Sequence, residues 1–320
     1  MKRILFLTTV PPKIIDEYVA ADDWSNEMLP TQLSERGALV IVKCWTDEDS
    51  ISAILDSDLA TFLWAEDYVQ HPVEFEKFLK NAKAAIEAKE RGATSPCVMN
   101  HIDLVQWNMD KKYLLDMQDA GFDIPTTEIV DVEQFASTTA LHQRLQGFRS
   151  SGPIVLKPSV SASSNNTRLI ADISALSSDD VAYLEACIKG DLRSALVIQQ
   201  FEPTIATGEY SFVFIGEQLS HVVLKAPKSG EFRCQPSFGG RISRKPVEEI
   251  EERTLSAVNS VFDFLKTRFG KGPTGELGYV RIDGLVTDDR AFVLMEIEAI
   301  EPSLYLEMAG LEDMLSLLLK

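Results

Sequence analysis

The first hundred residues alternate between short apolar runs and longer segments of helical spacing. Apolar runs occupy residues 4–7, 39–45, 61–64 and 97–99, and Phe75, Phe78, Leu79, Ala82 and Ile86 recur at helical intervals between the last two. Alternation of short, mainly apolar runs with helical segments predicts a parallel sheet flanked by helices. No glycine-rich fingerprint follows the first run, where Thr8-Thr9-Val10-Pro11-Pro12 stands instead, so a nicotinamide cofactor is not expected. The opening Lys2-Arg3 and apolar run superficially suggest a secretory signal. Pro11-Pro12, Lys13, Asp16 and Glu17 are wrong for a cleavage region, and a first buried strand is expected.

The pattern changes near residue 101. Asp110 caps an expected helix through Tyr113, Leu114 and Met117 that stops at Gly121. An extended segment follows at Ile124-Pro125-Thr126-Thr127. Strands at 153–157 and 168–173, joined by a Ser/Asn-rich turn, predict an antiparallel pair, then a helix at about 179–189. The last third begins with a strand at 195–201. Strands at 209–215 and 218–226, joined at Gly216-Glu217, predict a hairpin. Pro246 is expected to open a long helix carrying Ile250, Val258, Val261, Phe262, Leu265 and Phe269 on one face. Strands at 277–286 and 291–298 and a terminal helix ending in Leu317-Leu318-Leu319 complete the chain. The expected division is an α/β unit at 1–105 and two α+β units at 106–195 and 196–320.

The 320 residues, 45% hydrophobic and 25% charged, fit two or three packed subdomains rather than a disordered chain. A net charge of −18 repels phosphate backbones and anionic lipid, so neither nucleic acid nor membrane is an expected partner. A small anionic ligand would need a local positive pocket. The 4 cysteines form no CxxC pair, which fits reduced thiols in a cytoplasmic protein.

The segment Tyr279-Val-Arg-Ile-Asp283 … Leu294-Met-Glu296-Ile-Glu298 is the most informative. Alternate strand residues share a face, so Arg281 points with Asp283 and Glu296 with Glu298. A loop at about 288–291 would set Asp283 opposite Glu296. Three crowded carboxylates are costly unless cations join them, and oxygen ligands on strands suit Mg²⁺ shared with nucleotide phosphates. Lys157, closing an apolar strand before Pro158, and Lys111, at a helix start, are candidate phosphate ligands, although a strand-end lysine is often only snorkelling. Val197-Ile198-Gln199-Gln200-Phe201-Glu202 and the nearby Gly208-Glu209 could read an adenine and a ribose. His221 reads as a structural histidine, and Trp64-Ala65-Glu66-Asp67-Tyr68 reads first as a helix-start cluster, with substrate contact the alternative.

In that order, these parts resemble the ATP-grasp superfamily across about residues 100–305. The thirteen-residue step from Asp283 to Glu296 is also that of D-alanine–D-alanine ligases. Trp107-Asn108-Met109-Asp110-Lys111, Gly208-Glu209-Tyr210-Ser211, Ser220-His221, Phe232-Arg233, Gly239-Gly240-Arg241 and Glu301-Pro302-Ser303-Leu304 are most similar to glutathione-synthetase-like ligases. Their subgroup includes the cyclo-ligase that closes the cycloserine ring. The resemblance implies an N-terminal parallel α/β domain followed by an ATP-grasp fold of two α+β subdomains. It implies ATP as cofactor with two Mg²⁺ ions bridged by Asp283, Glu296 and Glu298. Lys111 and Lys157 would hold the α- and β-phosphates, Gln200, Phe201 and Glu202 the adenine, and Glu209 the ribose. Lys225 and Arg241 would neutralise the γ-phosphate and acyl-phosphate, with Arg281 beside the metals. The implied activity is a ligase that phosphorylates a carboxylate-like group and joins it to an amine, between or within amino-acid-like molecules, in a monomer or homodimer. A small-molecule kinase and a non-catalytic ATP-binding protein are the alternatives. The 159–167 loop lacks the glycines of many relatives, and Glu298 stands where many carry asparagine. The segment 125–189 is expected to act as a lid.

Overall fold

The computed structural model of the chain describes residues 1–19, 28–89, 97–149, 152–162, 164–190, 195–234 and 236–320. The early apolar runs form parallel strands. Arg3–Thr8 lies between Leu39–Cys44 and Leu59–Trp64, and Cys97–Met99 extends the sheet. Leu59–Trp64 is buried at every position, as a wholly apolar strand covered on both faces must be. The helix Pro72–Lys89 turns Phe75, Phe78, Leu79, Ala82 and Ile86 inward, with the Phe75 ring edge-on to Trp45 and Phe62. Two short strands from far along the chain finish this sheet: Gly275–Glu276 pairs parallel with Cys97–Met99, and Lys271–Gly272 pairs with Gly275–Glu276.

The second sheet is antiparallel, in the order Arg241–Lys245, Gln218–Ala226, Glu209–Ile215, Tyr279–Leu285, Val293–Glu298. Period-two alternation gives it two different faces. Phe212, Phe214, Val280 and Ile282 pack on Val258, Val261, Phe262 and Leu265 of the helix Glu252–Phe269, with Phe214 and Phe262 stacked at 4.1 Å. The opposite face carries Glu209, Lys225, Arg281, Asp283, Glu296 and Glu298. The third sheet, Thr127–Val130, Leu196–Gln200, Ile154–Pro158 and Arg168–Ile170, encloses a core of its own around Leu141, Leu156, Leu184 and Ile198. By contrast, a single cluster holding Ile4, Phe6, Val213, Tyr279, Leu304 and Leu315 unites the first two sheets with the terminal helix Leu311–Leu319.

The long helix begins later than Pro246. Pro246 (ψ 133°) and Glu251 (ψ 139°) are both extended, a 3₁₀ turn Val247–Glu249 lies between them, and the α-helix starts at Glu252. Ile250 therefore reaches the core from outside the helix. The expected strand at 168–173 ends at Ile170, and the helices Ile102–Asn108 and Thr138–Gln146 and the edge strand Arg241–Lys245 lie where no pattern was read. Ser163, in the Ser/Asn-rich turn, lies outside the described residues. All four cysteines are free thiols, and among the described residues no helix is long and apolar enough to cross a membrane.

His221 is structural, as read from the sequence. It is 1% exposed, its Nε2 meets the Leu304 carbonyl at 2.9 Å, and its Nδ1 lies 3.1 Å from Ser220 Oγ, which donates to Asp313 of the terminal helix. Burial pushes its imidazole below the usual range, although the Leu304 carbonyl opposes the shift. The unfolded chain therefore takes up this proton first as pH falls below about 6.5, and stability drops with it. Between about pH 7.5 and pH 5.5, wild type should lose more thermal stability than His221→Gln. Parallel melting-temperature curves for the two proteins would show that this proton is not linked to folding.

Candidate functional site

A cavity of about 1160 Å³ is walled by side chains from all three sheets, including Trp64, Val155, Lys157, Asp283 and Glu296. Every residue that the sequence reading placed at the site lines it except Arg241. Arg241 starts the edge strand, where its side chain is exposed. Arg233, from the loop before it, lines the wall instead, gripped by Glu231 at 2.7 Å and lying 3.6 Å above the Phe238 ring.

The register of the second sheet sets the charged face. Asp283 pairs across strands with Glu296 and with Ser211, Arg281 pairs with Glu298, and Lys225 with Glu209. Asp283, 2% exposed, accepts from Lys225 Nζ at 2.7 Å and from Arg281 Nε and Nη2 at 3.0 Å. Burial opposes its ionisation, but these two cations hold its carboxyl well below the usual range. Lys225 also meets Glu209 at 2.8 Å, and Arg281 also meets Glu298. Burial pushes the Glu298 carboxyl up to about 7. Arg281 opposes this, and Glu296 and Asp283 reinforce it.

The strand Val293–Glu298 is an edge whose backbone is covered by side chains from 100–113. Asn108 donates to Ile297 O and accepts from Ala299 N, Tyr113 Oη accepts from Ile297 N, and Asn100 donates to Ala299 O. These contacts fix Glu296 and Glu298 in place and satisfy an exposed ladder. Asn108 was quoted in the sequence only as part of a motif. No local signal marks it as a strand cap, because its partners lie almost two hundred residues away.

Lys111 and Lys157 approach from the other side. Lys111 Nζ lies 3.1 Å from Glu296 and also donates to Ser161 O. Lys157 alternates with the buried Ile154 and Leu156, which turns it and Val155 to the cavity. It has no ion-pair partner among the described residues. Burial, with Lys111 adding, pushes its ammonium below the usual range. Lys157 is therefore a desolvated cation that a bound anion would stabilise.

Mg²⁺ fits the donor chemistry of the facing wall. Among the described residues no group of three or more His, Cys, Asp or Glu side chains is arranged as a metal cage. Both Asp283 oxygens are engaged by Arg281 and Lys225, while Glu296 and Glu298 each have one oxygen without a partner among the described residues. One or two carboxylates completed by phosphate oxygens is the coordination Mg²⁺ favours.

No family model matches the chain, and no curated protein matches it. Solved structures do. D-cycloserine synthetase DcsG is 17% identical with a TM-score of 0.73, covering 99% of this chain and 97% of its own. D-alanine–D-alanine ligase from Bacillus anthracis is 15% identical with a TM-score of 0.67, covering 100% and 96%. A RimK-domain ATP-grasp protein from Sphaerobacter thermophilus is 14% identical with a TM-score of 0.57, covering 99% and 100%. This chain has the ATP-grasp fold.

Within the ATP-grasp fold, the chain enters the third sheet after Asp123 and leaves it for the second near Glu202. Arg290, at the tip of the hairpin 279–298, holds both crossings: it meets Glu202 at 2.7 Å and 3.3 Å and Asp123 at 3.9 Å. Leu294 N donates to Asp123 O beside it. Glu202 is 8% exposed, so removing the guanidinium strands a buried charge. Arg290→Ala should lower the unfolding free energy by about 1–3 kcal/mol. Adding Glu202→Gln should restore part of that loss in urea denaturation. Strictly additive losses would show that the pair is not coupled.

Proposed function

We propose that the chain is a Mg²⁺·ATP-dependent ligase acting on amino-acid-like substrates. It phosphorylates a carboxylate-like group and joins the resulting acyl-phosphate to an amine, in the same or a second molecule, releasing ADP and phosphate. The observation that carries this reading is Lys157, a desolvated ammonium with no acid partner among the described residues, beside Lys111 and in the same cavity as Asp283, Glu296 and Glu298. Bringing cations and acids together around one cavity suits a polyanion that arrives with its own metal.

On this reading Lys111 and Lys157 hold the α- and β-phosphates. The segment Gln200, Phe201 and Glu202 lines the adenine, and Glu209 lies toward the ribose. Asp283, Glu296 and Glu298 would hold Mg²⁺, which supplies charge neutralisation as the phosphoryl group moves. Lys225 and Arg281 set the position and ionisation of these carboxylates. Of the two arginines near the γ-phosphate end, Arg233 lines the cavity while Arg241 stands outside it, so Arg233 is the better candidate to meet the developing charge. Phosphoryl transfer needs positioning and positive charge rather than a nucleophilic side chain. The resemblance to DcsG and the D-alanine–D-alanine ligase supports ligation over a kinase.

The direct test is incubation with Mg²⁺·ATP and amino acid pools, with ADP measured and products identified by mass. Glu296→Gln should abolish ADP release while leaving the circular dichroism spectrum unchanged, since it removes one charge at nearly constant volume. Near-wild-type turnover at saturating Mg²⁺ would make the carboxylates a purely structural ladder. Lys157→Ala should weaken ATP binding by about 1.5–3 kcal/mol, the worth of a charge-assisted contact. Unchanged affinity by calorimetry would move the nucleotide elsewhere.

A further inference from the structure

The nucleotide reading uses only part of the cavity. At about 1160 Å³ the cavity exceeds the roughly 300–1,000 Å³ of a single small-molecule pocket, so there is room for a second molecule. The remaining wall comes from the carboxyl ends of two strands of the first sheet, through Thr9, Trp64, Glu66 and Asp67, with Glu301 and Tyr305 opposite. Two features there are built for a ligand.

The first is Asp67. Trp45 Nε1 donates to its Oδ1 at 2.6 Å, Thr9 Oγ1 donates to the same oxygen at 3.0 Å, and the Asp67 amide donates back to Thr9 Oγ1 at 2.9 Å. One oxygen is thereby locked, and Oδ2 has no partner among the described residues. A carboxylate pinned through one oxygen by two side chains, one of them held in turn by the Asp67 amide, is oriented rather than merely solvated. The second feature is Trp64. It is 3% exposed, its ring packs on Phe6, it lines the cavity, and its Nε1–H has no acceptor among the described residues. A buried indole donor is normally paired, and leaving it orphaned costs free energy that an incoming oxygen would recover.

The charge balance at this end also has a sign. Glu66 and Asp67 are acidic, and Arg281, 5.6 Å from the Tyr305 ring, is already committed to Asp283 and Glu298. An anion placed there would sit beside the Asp67 carboxylate. We infer that this end of the cavity takes a small primary amine as its ammonium ion, held by Asp67, with a neighbouring carbonyl or carboxylate oxygen accepting from Trp64 Nε1. The inference rests on the ligase reading and sharpens it. The amino group of the substrate is free, and substrates with an acidic side chain are rejected.

The test uses the full chain with ATP and Mg²⁺ and a fixed set of probes: glycine, the common L-amino acids, D-alanine and D-serine, each beside its N-acetyl derivative. ATP affinity is first measured by calorimetry without any probe. Loss of ATP binding there would fell the ligase reading itself. With ATP bound, free neutral or basic amino acids should raise the melting temperature or drive ADP release. Their N-acetyl forms, and aspartate and glutamate, should do neither. For an active probe, Asp67→Asn should raise KM about tenfold or more with little change in kcat or in ATP affinity, and Asp67→Glu should recover part of the loss. The inference is overturned if N-acetyl probes perform as well as free ones, if no free amino acid binds while ATP does, or if Asp67→Asn leaves KM unchanged. Because the probe comparison uses wild-type protein, it decides the matter even if the variants fail to fold.

Discussion

Asp283 accepts hydrogen bonds from Arg281 and Lys225 in the middle of a packed sheet, and the rest of the site is arranged around that cluster. All three residues are under 7% exposed. Burying three charges carries a desolvation penalty that only good geometry and full pairing can offset. The three groups come from two strands separated by Glu209–Ile215, so their contacts demand one register across the sheet. A slip by one residue would drive Arg281 and Asp283 into the Phe212–Ile282 face and turn those apolar groups toward the cavity. The same cluster extends outward through Arg281 to Glu298 and to the Ser303 carbonyl, and through Lys225 to Glu209. Residues that meet the cavity therefore take their position from residues that barely reach it.

The second constraint is the covered edge. Val293–Glu298 has no strand on its outer side among the described residues, yet Asn100, Asn108 and Tyr113 fill its ladder with side-chain groups from residues 100–113. Buried backbone groups must be paired, and here the pairing fastens the carboxylate strand to the first sheet. Glu296 and Glu298 cannot shift without breaking these bonds. The third sheet is built differently, because its core is its own and its charged tie to the remainder runs through Arg290 at the two crossings. Opening and closing of this sheet over a fixed carboxylate face is the motion such an arrangement permits.

Sequence legibility followed locality. The 209–226 hairpin, the facing of Asp283 and Glu296, and the helical face of Phe75 to Ile86 were readable because periodicity and short turns determine them. The late start of the helix at Glu252 was missed because a proline normally marks a first helical turn, while here extended residues intervene. Gly275–Glu276 joining Cys97–Met99 could not be read at all, since two residues carry no period. The site shows the same division. Most of the charged residues were found from strand alternation and family resemblance. The resemblance placed Arg241 toward the γ-phosphate, yet the strand that begins at Arg241 presents it to solvent. The Trp64 to Tyr68 segment looked like an ordinary helix start, since its carboxylate becomes oriented only through Trp45 and Thr9, which sit on neighbouring strands.

The net charge of −18 makes this cavity a problem that its wall solves in two ways. Toward Lys111 and Lys157, lysines from outside the carboxylate face are brought against it, which makes a local cationic patch inside an acidic field. Toward Asp67, whose Oδ2 has no partner among the described residues, the wall favours a cationic partner. Phosphate bound at one end and ammonium at the other would attract each other across the cavity, and each would lower the cost of burying the second. A chain with a neutral or basic overall charge could bind either ligand alone, but it would lose the electrostatic ordering that directs each to its own end. On the proposed reading, the excess of acid would help direct each ligand to its own end.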